Sequence, residues 1–268
     1  MIRAQYMIEW CKWLLQLLKN ESNGALPYQE RKESPIHVLV NGPSLSTTIG
    51  FLDKKPGKVM MVNNALCKSF SIYPDYYCIV DPIYGDENFN GTKALYRALE
   101  EYRQPLVVYT ISEISNKMHL NNSKIDIRNV CCNTCPEYRG KREEYILKKN
   151  LASFLPQGVV VMALYVSIQL GYKTIYLHGA DASEIYGIRV DDKNRLLLKP
   201  NHYYEEDNKE IWLKNHNMLK EYIADCNLYE SLYGLKKYSE DCGANIINLS
   251  VNSLIDCFEK LDISNVLG

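Results

Sequence analysis

Four short apolar runs in this chain end on polar residues able to hold a ligand. Residues 37–40 lead into Asn41, Lys58–Val62 into Asn63, 76–80 into Asp81, and 174–177 into the 178–181 segment closed by Asp181. Asn41 opens the turn Asn41-Gly42-Pro43-Ser44. Gly42 lets a backbone approach a phosphate or a ribose closely. Pro43 fits the first turn of a helix, and Ser44 adds a hydroxyl beside free N–H groups, an arrangement that suits an anion. Each polar residue taken singly is equally a turn or a helix cap. Taken together, at the carboxyl ends of parallel strands, they converge on one edge of a sheet, where open α/β sheets bind nucleotides. A second set of candidates is His202 and Glu206, four residues apart in a polar stretch. They share a face in a helix and in a strand. An imidazole that titrates near neutrality and a carboxylate are the usual partners in proton transfer. Asp181 is a third candidate for that task.

The elements that must position these residues alternate between strand and helix. Strands are expected at 38–40, 58–62, 76–80, 105–110, 125–130, 174–177 and 245–248, with helices over 92–103, 159–170 and 210–238. Gly171 stands where a helix C-terminus needs glycine. The pattern predicts a doubly wound α/β fold with a mostly parallel sheet, Rossmann-like and GT-A-like, in one domain over 36–268. A polar, Tyr-rich insert over 182–208 is expected to act as a lid, with Asp191-Asp192-Lys193-Asn194 as a solvated hairpin turn. Residues 1–19 carry Ile2, Tyr6, Trp10, Trp13, Leu14, Leu17 and Leu18 at helical spacing. That amphipathic helix suits a membrane interface, the domain surface or a second copy of the chain. Residues 20–35 read as a linker.

Composition narrows the function classes. The chain has 268 residues and a formal net charge of −1, without a basic stripe, which argues against a nucleic-acid partner. Tyrosine outnumbers phenylalanine 21 to 5, a bias that suits polar rings held through an apolar face and a hydroxyl. Nine cysteines with no cleavable signal peptide in view lead us to expect reduced thiols in a cytoplasmic protein. Cys131, Cys132 and Cys135 lack the second pair that a zinc site wants, so no metal is expected.

The run 38–45, then Val62-Asn63, then 79–82, resembles the bacterial lipooligosaccharide sialyltransferases of glycosyltransferase family 42. The second half adds 158–162, 170–177, Gly179-Ala180-Asp181, Asn201-His202-Tyr203-Tyr204 and the tail 245–254, so that patches of resemblance cover 36–258. The motifs also touch polysaccharide-cluster proteins and archaeal hydroxymethylpterin pyrophosphokinases (MptE-like). The resemblance implies a CMP-linked sugar donor, inverting transfer to a glycan or lipid-linked glycan, no required metal, and work at the inner face of the cytoplasmic membrane. It places Asn41 and Ser44, with Gly42 in their turn, at the donor phosphate and ribose, and Asn63 at the cytidine nucleotide. It sets Asp81 where the family has a donor-contacting Asn, Gly158 at the helix facing the base, and Tyr203 at the donor phosphate. The chain departs from the family at Glu206, where the general-base His belongs, at Phe154 in place of an Arg, and at Ser183 in place of a Tyr that Tyr186 can replace. The MptE-like resemblance implies instead a Mg- and ATP-dependent phosphotransferase, and the missing His an inactive nucleotide-binding scaffold.

Overall fold

A computed structural model describes residues 11, 26, 28–54, 57–67, 72–131, 134–135, 137–154, 157–199 and 210–267. Apart from Cys11, the amphipathic stretch 1–19 lies outside the described residues, as do His202, Tyr203 and Glu206.

Eight strands form one sheet: β1 (Ile36–Leu39), β2 (Lys58–Val62), β3 (Tyr76–Ile79), β4 (Leu106–Thr110), β5 (Ile125–Asn129), β6 (Thr174–His178), β10 (Asn245–Asn248) and β11 (Glu259–Lys260). Their order is β11-β10-β6-β1-β2-β3-β4-β5. Every neighbouring pair is parallel, so the main sheet is wholly parallel. All of β1 is buried, and a strand covered on both faces has to be an apolar run rather than an alternation. The chain moves outward from β1 through β2, β3, β4 and β5. It then returns to the other side of β1 to lay down β6. The strand order therefore reverses between β1 and β6, and such a reversal opens a crevice at the carboxyl ends of the two strands.

The flanking helices are α1 (Leu45–Thr48), α2 (Asn90–Glu101), α3 (Ser112–Ser115), α4 (Lys141–Lys148), α5 (Val159–Gln169), α6 (Met218–Asp241) and α7 (Ile263–Leu267). Helix α5 is buried on nearly all sides, as a helix that is apolar all round must be. It packs on β1, β2, β3 and α6. Gly171 ends it with φ +83, and a Cβ there would meet the Glu30 carbonyl oxygen at 2.1 Å. That contact is close because residues 28–32 run along this turn. Gln29 N–H donates to Gln169 O (2.7 Å) and Lys32 N–H to Gly171 O (2.8 Å), while Leu26 is buried. The described part of the segment read as a linker is thus fastened to the domain.

The insert supplies β7 (Ile188–Val190) and β8 (Leu196–Leu198), and the chain after it β9 (Ile211–Trp212), of a second, antiparallel sheet. Asp191 closes the β7–β8 hairpin, accepting from Lys193 N (3.0 Å) and Arg195 N (2.9 Å). The expected helix over 210–238 starts later, at Met218. Ile211 and Trp212 are taken into pairing with β8, and the Asn217 side chain caps the new start by accepting from Lys220 N (3.0 Å).

Candidate functional site

The β1/β6 reversal carries a cleft of about 490 Å³. Its floor is the ends of the central strands: Asn41 and Gly42 after β1, Asn63 and Asn64 after β2, Asp81 after β3, and 179–182 after β6. One wall is the start of α5, from Gln157 to Val160. The other holds Asp225 and Leu228 of α6, with Glu184 at the mouth. Four strand ends spread over 141 residues of chain are brought together as the alternation of strands and helices requires.

The floor is tied in place by side chain to backbone bonds. Ser44 N–H donates to Asp181 Oδ2 (2.9 Å), which locks the turn after β1 to the end of β6. Gly42 N–H donates to Gly179 O (2.8 Å). A Cβ on Gly42 would sit 2.2 Å from Asp181 Oδ2 and 2.4 Å from Gly179 O, so only glycine lets these two loops touch. Gly179 itself has φ +64, and a Cβ there would lie 2.2 Å from Val40 O. The tail supports the same strand end from outside. Ala180 N–H donates to Ser250 Oγ (2.9 Å), Ser253 Oγ–H to Ala180 O (2.6 Å), and Leu254 N–H to Asp181 O (2.9 Å). Asn248 Nδ2 in turn donates to Ser253 Oγ (3.1 Å). The 245–254 motif therefore buttresses the site from behind.

Polar groups remain unspent inside this frame. Asn41 is 6% exposed; its Nδ2 donates to Val62 O over a long 3.4 Å, and its Oδ1 has no partner. The buried oxygens Ser44 Oγ, Asn63 Oδ1 and Asn64 Oδ1 also lack partners. Buried polar atoms are costly to leave unpaired, so such a cluster on a cleft floor marks a place for a hydrogen-bonding ligand. Gly158 opens α5 without a side-chain cap; Val161 N–H is taken by Gly158 O (3.1 Å), while Val159 and Val160 of that first turn line the cleft, a place suited to an anion.

Among the described lining residues there are four carboxylates, Asp81, Asp181, Glu184 and Asp225, and no Lys, Arg or His. Asp81 is exposed, and its Oδ1 accepts from Ile83 N (3.0 Å) as the cap of a short 3-10 turn. Burial and the Glu184 and Glu221 charges push the Asp225 carboxyl up. Below the floor, His37 Nδ1 and His178 Nε2 lie 3.1 Å apart in the core, and burial, reinforced by His37, holds His178 down at about 3. Among the described residues no three His, Cys, Asp or Glu side chains gather as a metal site, and no helix is long and apolar enough to cross a membrane. Cys11, Cys78, Cys135, Cys226, Cys242 and Cys257 are free thiols.

Of the sequence-derived candidates, Asn41, Gly42, Asn63, Asp81, Gly158 and Asp181 meet in this one cleft, with Ser44 bonded to Asp181 directly behind it. Asn64, Glu184 and Asp225 were missed. Asn64 is signalled only by its neighbour, and Asp225 lies inside a helix, where reasoning from strand ends does not look.

No family model and no curated protein sequence matches the chain. Among solved structures, it is similar to a MAf glycosyltransferase from Magnetospirillum magneticum AMB-1, at 13% identity and a TM-score of 0.49, over 93% of this chain and 37% of that one. The chain thus spans just over a third of that protein. It is also similar to the sialyltransferase CstII from Campylobacter jejuni in complex with cytidine-5'-monophosphate, at 14% identity and a TM-score of 0.47, over 85% of each chain. The alpha-2,3-sialyltransferase Cst-I from the same organism matches at 15% identity and a TM-score of 0.43, over 85% of this chain and 80% of that one.

Proposed function

We propose that this chain is an inverting glycosyltransferase that moves an acidic, sialic-acid-like sugar from a CMP-linked donor to a surface-polysaccharide or lipooligosaccharide acceptor. The observation that carries the reading is the buried Asn41 Oδ1, left without a partner at the strand-order reversal beside the uncapped start of α5. A ligand that satisfies both features has a hydrogen-bonding ring or ribose joined to an anion, which describes a nucleotide. The motifs at 38–45, 79–82 and 245–254 narrow that class to a CMP-linked sugar. In this reading Asn41, Asn63 and Asn64 hold the nucleoside, Ser44 and Gly42 shape its turn, and Asp81 meets the ribose side. The first turn of α5 at Gly158 and Tyr203 receive the leaving phosphate, so that no metal is required. Asp181, held by Ser44, positions the floor rather than moving a proton. His202 and Glu206 are the sequence candidates for the base. Residues 1–19 hold the enzyme near a lipid-linked acceptor.

A second reading has one specific observation behind it. The cleft is lined by four carboxylates and no described cation, an acidic lining that a Mg-dependent phosphotransferase using ATP would share, although no three of them gather as a ready ion site. A thermal-shift panel of CMP, CDP, UDP, GDP and ATP, with and without Mg²⁺, separates the two. A ligand at 100 times its Kd adds about 2.7 kcal/mol of stability. The transferase reading expects the largest shift from CMP, unchanged by Mg²⁺. A shift confined to ATP with Mg²⁺ supports the phosphotransferase instead.

A further inference from the structure

The four carboxylates of the cleft are not equivalent. Asp181 is buried and engaged by Ser44 N–H, Asp81 caps the turn after β3, and Glu184 stands exposed at the mouth. Asp225 is half-buried and makes no hydrogen bond or ion pair among the described residues. It stands one turn before Leu228 on the side of α6 that faces the cleft. The Leu228 Cδ1 lies 3.4 Å from where a Cβ on Gly158 would be, so Asp225 flanks the uncapped start of α5. The groups that face it are Glu184 from the turn after β6, and Glu221 and Tyr229 from α6 itself. None is a cation, so nothing described there offsets the upward push of burial and like charge. A ligand at this place is indicated independently by Asn41 Oδ1, buried and unpartnered on the opposite floor.

We propose that Asp225 is the proton acceptor of the transfer step, an inference that rests on the transferase reading above. As the acceptor hydroxyl oxygen forms its bond to the anomeric carbon, its proton passes to the Asp225 carboxylate. The bond from that carbon to the phosphate oxygen breaks, and the electron pair leaves with CMP. A cleft carboxylate made more basic by burial and by the Glu184 and Glu221 charges, as Asp225 is, matches the task of a general base. Asp225 supplies this function on α6, independently of His202 and Glu206.

The test uses the full chain, CMP for binding, and CMP-linked sialic acid with water as acceptor for turnover. Wild type, Asp225→Asn, Glu184→Gln and His202→Ala are compared by calorimetry, by CMP release and by the pH profile of kcat/KM. We expect Asp225→Asn to bind CMP within threefold of wild type and to lose about 10²–10⁴-fold in turnover. Glu184→Gln, by removing a neighbouring negative charge, moves the acidic limb of the wild-type profile to lower pH. Should Asp225→Asn melt early, that limb shift decides the matter on a folded protein. Turnover within threefold of wild type in Asp225→Asn with intact CMP binding overturns the assignment. So does an unmoved limb in Glu184→Gln, or a loss confined to His202→Ala. A wild type that neither binds CMP nor releases it from the donor instead overturns the transferase reading and this proposal with it.

Discussion

The two sheets of this molecule hold their parts in opposite ways. At the β1/β6 reversal, Asn41, Ser44, Asp181, Asn248, Ser250 and Ser253 are all buried, and their bonds run from side chain to backbone across elements far apart in sequence. In the β7–β8–β9 sheet, Leu196 and Leu197 of β8 are buried but Ile211 is 51% and Trp212 48% exposed, and the backbone ladder is joined at its surface by ion pairs such as Arg189 Nη2 to Glu210 Oε2 (2.5 Å). Bonds of the first kind fix atoms to a fraction of an ångström and cannot be exchanged without cost, because each leaves a buried partner behind. Ion pairs of the second kind are screened by water and contribute little. A fixed floor suits the invariant part of a ligand. In the transferase reading, a less rigidly held edge suits the part that differs from one acceptor to another.

The contrast breaks most sharply at the floor. Gly179→Ala places a Cβ 2.2 Å from Val40 O and 2.8 Å from Leu45 Cβ, at φ +64. Left-handed strain and overpacking together give an expected loss of about 3 kcal/mol or more in urea unfolding, with nucleotide binding abolished. Tolerance of alanine there would mean that the floor is not rigid.

The histidines beneath the floor predict a smaller, pH-dependent effect. His178 titrates at about 3 against 6.5 when unperturbed, because burial and His37 oppose its charged form. The unfolded chain therefore takes up a proton that the folded chain refuses. Stability is whole above pH 6.5 and declines as pH falls from there toward 3. Between pH 7.5 and 5.5 the expected loss from this site is about 1.4 kcal/mol. His178→Gln flattens the slope by that amount in denaturant titrations at the two pH values, and an equal slope in both proteins would remove His178 from the account. The smallest effect belongs to the edge. Arg189→Ala deletes a surface ion pair, and its melting temperature and CMP affinity are expected to match wild type within error.

Much of the floor was readable before the fold was known. Buried parallel strands need apolar runs, and a polar residue that follows one directly lies at a strand end, so Asn41, Asn63, Asp81 and Asp181 could be placed together. Helix α5 was equally plain, with ten of its residues buried and Gly171 where it stops. What escaped depends on partners distant in sequence. Ile211 and Trp212 look like the start of an amphipathic helix until β8 is there to pair with them. Strand β11 has two residues and no pattern of its own. Leu26 and Tyr28 carry no sign that α4 and α5 will receive them, although Tyr28 N–H donates to Lys148 O (3.1 Å). Asp225 looks like any charge on an exposed helical face. Only the packing of α6 against α5 turns it inward.

In the transferase reading the partnerless Asn41 Oδ1 is there to meet a nucleotide. The direct measurement is a calorimetric titration of CMP into wild type and Asn41→Ala, with circular dichroism confirming that both are folded. Saturable binding to wild type is expected, with a loss of about 1–3 kcal/mol in the variant, the cost of leaving a buried ligand group unpaired. Equal CMP affinity in the two folded proteins, or none in wild type, would contradict it.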